Sequence, residues 1–292
     1  MKSPIARPRI VVSGRADSRL SQDGIPSKFC LSLPERGFVS DAGTVFSAFS
    51  RALCVLVLCA PAAALAYRPF DSTDADVAKA GDLELELGPV GRLREGSSRI
   101  RVQPAVVANY GLTRERELVL EGRREILRDG DPDEPRSSIR DNALSLKQVL
   151  RRGVLQDAPG PSVATELGLL LPDVHGEKGT GASIAGIVSQ RTEAVTAHWN
   201  AALEWTRAHE PGAFLGVILE GPHAWALRPV AEAFGEQASG APRTTSALVG
   251  AIWRVREDLS FDIGVRRAHG GGETVRELRI GLTWAFGLRK EP

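Results

Sequence analysis

The chain has 292 residues, and its 37 basic residues nearly balance its 36 acidic ones. This balance excludes the basic surface that nucleic-acid binding requires, so we predict no nucleic-acid partner. The three cysteines, Cys30, Cys54 and Cys59, all lie before Tyr67. A mature chain that begins there would contain no disulfide and no cysteine ligand for a metal.

Residues 45–66 have the order of a secretory signal. Arg51 precedes a short apolar run, and the run is followed by the small residues Ala62-Ala-Ala-Leu-Ala66. The run is too short to cross a bilayer as a helix, which takes about 20 residues. We therefore expect export and cleavage after Ala66. The alternative is a lipoprotein box at residues 56–59, but Leu58 stands where such a box requires a small residue.

Three further segments complete the predicted organisation. Residues 1–44 mix Pro, Ser and Arg without a period, and such a prefix is unusual before a secretory signal. We interpret it as a gene-model extension or a disordered prefix. Residues 67–80 are the predicted N-terminal segment of the mature chain, and residues 287–292 are a short C-terminal tail.

Between these segments, residues 81–286 contain about twelve stretches that alternate apolar and polar residues. Their period of two is the period of a β-strand. Near the beginning, leucines alternate with acidic residues from Asp82 to Leu87. The clearest strand is the last, and its apolar face is expected to face lipid: Leu278, Ile280, Leu282, Trp284 and Phe286.

Alternating strands in an exported chain predict an all-β fold, a single antiparallel transmembrane β-barrel of about twelve strands in the bacterial outer membrane. Its apolar faces would contact outer-membrane lipid, and its insertion would require the outer-membrane assembly machinery. Ten residues per strand are enough for a tilted strand to cross the hydrocarbon layer. The alternative is a soluble periplasmic β-protein, such as a sandwich or a lipocalin-like barrel, whose apolar faces point inward.

Polar stretches rich in Gly, Pro and Asp connect the predicted strands and favour turns. Two long ones are Asp129–Pro135 and Pro172–Gly181. Long connections of such barrels usually face the outside. A structural or interaction role would depend chiefly on these two loops.

Charged residues recur on the strand faces opposite the apolar ones, which predicts a charged lumen. Rings of fixed charge can select the solutes that pass through a pore. The same charges can instead close a narrow lumen as a packed set of ion pairs, and both alternatives remain open. The predicted lumen-lining residues are Arg99, Arg101, Glu204, Arg254, Arg256, Arg266 and Arg279.

The sequence contains no clear catalytic or metal-binding pattern. His198 shares a strand face with Asn200, but no serine stands at the sequence position that a nucleophile paired with this histidine would need. No spacing of His, Asp and Glu resembles a structural metal site. We predict no enzyme activity, no metal and no cofactor.

Two motifs resemble a known family of outer-membrane barrels. The run Arg68-Pro-Phe-Asp-Ser-Thr-Asp-Ala-Asp-Val77, followed by Gly81-Asp-Leu-Glu-Leu-Glu86, is similar to the opening of the transporter-like barrels grouped with the meta-pathway of phenol degradation. The closing run Arg279–Phe286 is similar to the last strand of those barrels. The resemblance implies a passive transporter or channel for small hydrophobic or aromatic solutes. It implies no residue of a substrate site, and the solute stays unknown.

Overall fold

The computed structural model describes residues 68–95, 98–127 and 135–288. Regular structure in these residues is β-strand apart from one 3₁₀ turn, Val154–Gln156. No helix among them is long and apolar enough to cross a membrane. The predicted prefix, the signal with its cleavage after Ala66 and most of the loop Asp129–Pro135 lie outside the described residues.

Thirteen strands are present in this part of the chain. In chain order they are β1 (Asp82–Leu87), β2 (Gly91–Glu95), β3 (Ser98–Thr113), β4 (Arg116–Leu127), β5 (Ser137–Arg151), β6 (Ser162–Leu170), β7 (Gly181–Arg191), β8 (Thr196–Trp205), β9 (Pro211–Glu220), β10 (Leu227–Ala238), β11 (Thr244–Arg256), β12 (Leu259–Gly270) and β13 (Glu273–Gly287).

The sheet closes on itself because β1 and β2 each pair with both β3 and β13. All other neighbours are consecutive in the chain, and every pairing is antiparallel. β1 and β2 occupy one strand position, which is interrupted at Gly88-Pro89-Val90, where Pro89 has no N–H to donate to a neighbouring strand. The result is a closed barrel with twelve strand positions, as predicted from the alternation.

The two ends of the barrel are distinguished by the chain ends and the connections that lie there. Asp82 at the start of β1 pairs with Gly287 at the end of β13, so both chain ends of the barrel lie together. We call this the terminal end, and the opposite one the distal end. Connections 171–180 and 206–210 lie at the distal end, and connection 152–161 lies at the terminal end.

The outer surface of the barrel is apolar. On β12, Ile263 and Val265 are 50% and 57% exposed, whereas Asp262 and Arg266 on the other face are buried. A surface of this kind on every side of a protein would be unstable in water, and it matches the lipid-facing band of a transmembrane barrel. In a soluble barrel the apolar faces would point inward, so the soluble alternative is wrong.

Candidate functional site in the lumen

Residues 68–80 lie inside the barrel, and we call them the inner segment. The Ser72 N–H donates to the carboxylate of Glu232 on β10 at 2.7 Å. Nearer the terminal end, the Ala78 N–H donates to Glu117 on β4 at 2.6 Å. An irregular segment can be buried when side chains around it accept its backbone hydrogen bonds. These contacts attach the inner segment to the barrel wall.

Glycines in the wall leave room for the inner segment. A methyl group added at Gly281 on β13 would overlap the guanidinium of Arg68. One added at Gly216 on β9 would overlap the hydroxyl of Ser72. A side chain at either position would require Arg68 or Ser72 to shift.

One side of the lumen is a cluster of arginine–carboxylate ion pairs. Arg279 and Arg266 lie 3.0 and 3.1 Å from Asp71 of the inner segment. The same two arginines lie 3.0 and 3.3 Å from Glu277. We call this cluster the arginine wall, and it consists of Arg68, Asp71, Asp262, Arg266, Glu277 and Arg279. Because the arginines are paired with carboxylates, this side of the lumen is packed closed.

Four of the predicted lumen residues are found on or near the inward face. Arg266 and Arg279 are 7% and 4% exposed, in the arginine wall. Glu204 lines the open part of the lumen. Arg254 is half-buried and pairs in register with Ser260, whose side chain is buried.

Arg256 does not line the lumen, which corrects the prediction. A bulge between Arg254 and Arg256 shifts the register at the end of β11. Arg256 is therefore exposed beside the turn to β12, where it forms an ion pair with Asp258 at 2.9 Å. Simple alternation could not anticipate this extra residue.

The register of β3 changes near its beginning. Val102 is 1% exposed and pairs with Glu125 on β4. A register shift between Gln103 and Val106 separates this part of β3 from the rest. The side chains of Arg99 and Arg101 lie outside the described residues, so their place in the lumen stays a prediction.

The closing strand β13 has the two faces expected of a barrel strand. Arg279 and Thr283 are buried on the inward side. The side chains on the outward face are apolar and partly or largely exposed, as expected for a stripe in contact with lipid. Leu278, Ile280 and Trp284 are 41%, 48% and 46% exposed, and Leu282 and Phe286 are half-buried.

The remaining part of the lumen contains a cavity of about 260 Å³. It reaches from Thr206 and Ala238, where β8 and β10 end, to Asp76 and Ala78 of the inner segment. Ten of the residues that line it are Asp or Glu, and Lys147 is the basic one. We call it the acidic cavity.

The lysine does not neutralise the acidic cavity. Lys147 Nζ lies 3.2 Å from Asp74 and 3.5 Å from Glu117, so two carboxylates share its charge. Burial, together with the charge of Asp74, raises the pKa of Asp76 in the inner segment to about 6. The excess of carboxylates would attract cations and repel anions.

The partners of His198 were missed because they come from neighbouring strands. Ser189 Oγ on β7 lies 2.7 Å from Nδ1 of His198, and Glu220 on β9 lies 3.5 Å from Nε2. This set has the residue types of a hydrolase triad. However, Ser189 is fully buried and its Oγ also accepts the Ala75 N–H at 3.0 Å. A substrate has no path to this hydroxyl, so the set is a packed polar cluster.

Comparison with known proteins gives a likeness of fold. No family model matches the chain, and no curated protein matches it. The KdgM porin is similar with a TM-score of 0.46 and 7% identity, covering 70% of this chain and 99% of that one. An outer-membrane channel from Pseudomonas putida F1 is similar with a TM-score of 0.47 and 12% identity, and the match covers 74% of this chain and 99% of that one. The CymD monoaromatic hydrocarbon channel is similar with a TM-score of 0.43 and 8% identity, and the match covers 73% of this chain and 90% of that one.

Proposed function

We propose that this chain is a passive channel of the bacterial outer membrane for small solutes. The observation that carries the proposal is the acidic cavity, which extends from the distal strand ends to the inner segment inside a closed barrel. Burying carboxylates costs free energy unless they are paired. A continuous cavity lined by them favours a role in the passage of polar solutes.

The route follows the acidic side of the lumen, because the arginine wall is packed closed. At the terminal end the cavity reaches the inner segment at Asp76 and Ala78. Passage there requires this part of the segment to shift. This shift would break two hydrogen bonds, from Lys147 to Asp74 and from the Ala78 N–H to Glu117.

Membership of the transporter-like barrels grouped with the meta-pathway of phenol degradation is part of the proposal. The two motifs support it, and they meet in the fold: Asp71 of the first motif is bonded to Arg279 of the second. The family implies hydrophobic or aromatic solutes. The carboxylates that line the cavity favour, for this chain, solutes that carry a polar or positively charged group.

The proposal includes export through a cleaved signal and insertion by the outer-membrane assembly machinery. N-terminal sequencing of the protein purified from outer membranes is expected to begin at Tyr67. A protein that retains residues 45–66 after export would contradict cleavage at Ala66.

A second candidate is a structural or interaction barrel with a closed lumen. The observation that favours it is the inner segment, whose Asp71 is bound by both Arg266 and Arg279. If the inner segment does not move, it closes the acidic cavity at the terminal end, and solutes cannot pass through the barrel.

Liposome swelling separates the two candidates. Liposomes that contain the purified barrel should swell in isotonic arabinose or glycine faster than protein-free liposomes. Ala202 lines the cavity, whereas Ala201 beside it is exposed on the lipid side of β8. Ala202→Trp should therefore slow swelling, and Ala201→Trp should leave it unchanged. Native barrels that fold, as judged by heat-modifiable migration, yet produce no swelling would favour the closed barrel.

A further inference from the structure

Glu84 on β1 is a buried carboxylate without a partner. Its side chain is 4% exposed and lines the acidic cavity. In the part of the chain that the structure describes, it forms no hydrogen bond and no ion pair. Asn109 lies opposite it on β3, but the Asn109 amide donates to Glu86 at 2.9 Å instead. Buried carboxylates normally have a cation or several donors beside them.

Other acidic residues of the cavity add to the cost of burying the Glu84 carboxylate. Lys147, the basic residue of the cavity, is already bonded to Asp74 and lies beside Glu117. A positive group of a ligand placed at Glu84 would relieve the repulsion among the acids. The carboxylates of Glu86, Glu117, Asp74 and Asp76 line the same cavity as Glu84.

The chemistry of the cavity favours an organic cation over a chelated metal. No group of three or more His, Cys, Asp or Glu side chains in the described residues is arranged to hold a metal ion. An ammonium group needs only one or two carboxylates and accepts varied geometry. The apolar side chains of Val107 and Val119 line the cavity and pair in register with Glu86 and Asn109. They would contact a short alkyl chain.

We propose that the acidic cavity binds a small alkylammonium cation, with Glu84 as its counter-ion and Val107 and Val119 beside its alkyl chain. A volume of about 260 Å³ accommodates a ligand of a few heavy atoms. That this cation is also a transported solute rests on the proposed function. Binding itself is independent of passage and can be measured without a membrane.

The first experiment is calorimetric titration of the native folded barrel in detergent micelles. Butylammonium chloride is the probe, and sodium butyrate and butanol are matched controls of the same chain length. We expect saturable binding of butylammonium and none of butyrate or butanol. Absence of butylammonium binding, or equal binding of butyrate, would overturn the proposal. This comparison needs no variant, so it stands even if substitutions impair folding.

The second experiment removes the charge and keeps the shape. Glu84→Gln should weaken butylammonium binding about tenfold or more, since the bond to a charged group is lost. Glu193→Gln makes the same chemical change in the exposed turn between β7 and β8 and should leave binding unchanged. Equal affinities for the native barrel and a folded Glu84→Gln variant would overturn the role of Glu84.

The outcomes keep the two proposals apart. Butylammonium binding without any liposome swelling would support the cation site and contradict the channel. Swelling of liposomes without butylammonium binding would support the channel and overturn the cation site.

Discussion

Arg279 on the last strand donates to both carboxylate oxygens of Asp71, which lies 208 residues earlier in the chain, at 3.0 Å each. The same guanidinium donates to the Pro69 carbonyl at 2.7 Å. These bonds connect the inner segment to the strand that closes the barrel. We therefore expect the position of the segment and the closure of the barrel to stabilise each other.

Asp71→Asn should destabilise the barrel, because Arg266 and Arg279 would lose a shared carboxylate. We expect the free energy of unfolding to fall by about 1.5–3 kcal/mol, measured by denaturant unfolding in micelles. Asp258→Asn is the control, since it breaks an exposed pair with Arg256, and should cost about 1 kcal/mol or less. Equal losses in the two variants would contradict a structural role for the inner segment.

Ile280→Lys should impair membrane assembly, because Ile280 is 48% exposed in the middle of the lipid-facing side of β13. A lysine at the bilayer midplane costs about 2–4 kcal/mol. His269→Lys is the control. His269 lies on the same lipid-facing side near the distal end of β12, where the cost of a lysine falls to about 1 kcal/mol or less. Heat-modifiable migration measures the folded fraction. Similar yields for the two variants would mean that this face does not contact lipid.

The burial of Asp76 predicts a pH dependence of stability. Its pKa of about 6 in the folded barrel exceeds the value of about 4 for an aspartate in an unfolded chain. The folded state therefore binds the proton more tightly, and the free energy of unfolding falls as the pH rises from about 4 to about 6. Asp76→Asn should remove this part of the slope, whereas Glu193→Gln in an exposed turn should keep it. An unchanged slope in Asp76→Asn would disprove the assignment.

Ser189 should not behave as a catalytic nucleophile, although His198 and Glu220 lie beside it. Its hydroxyl is fully buried and already bonded to His198 and to the Ala75 N–H. We expect no labelling of the folded barrel by a fluorophosphonate probe, with mass spectrometry as the readout. Ser189→Ala should instead lower the free energy of unfolding by about 1–3 kcal/mol, since two polar groups lose their partner. Covalent labelling at Ser189 would contradict this assignment.

The barrel could be predicted from the sequence because strand alternation is a local signal. Strands such as Gly181–Arg191 have the bounds that alternation indicates, and their number is enough to close a barrel. Bulges break the inference, because one extra residue reverses every later side chain. This is why the predicted lumen position of Arg256 is wrong.

The lumen could not be predicted in the same way, because its contacts join distant parts of the chain. The inner segment has no period, and its bond from Asp71 to Arg279 leaves no local trace in the sequence. Ser189 and His198 face each other only through the register of β7 and β8. The surroundings of Glu84 likewise depend on contacts between strands, since Asn109 donates to Glu86 and Lys147 is bonded to Asp74. Alternation indicates only that the Glu84 side chain points inward.

Electrical recording from single barrels in a planar bilayer tests the channel most directly. With a potassium chloride gradient across the bilayer, the native barrel should give discrete conductance steps. The sign of its reversal potential should be that of a cation-preferring pore, because the route runs along the acidic cavity. A barrel whose folding is verified by heat-modifiable migration, and which inserts yet gives no conductance steps, would contradict the proposal that this chain is a channel.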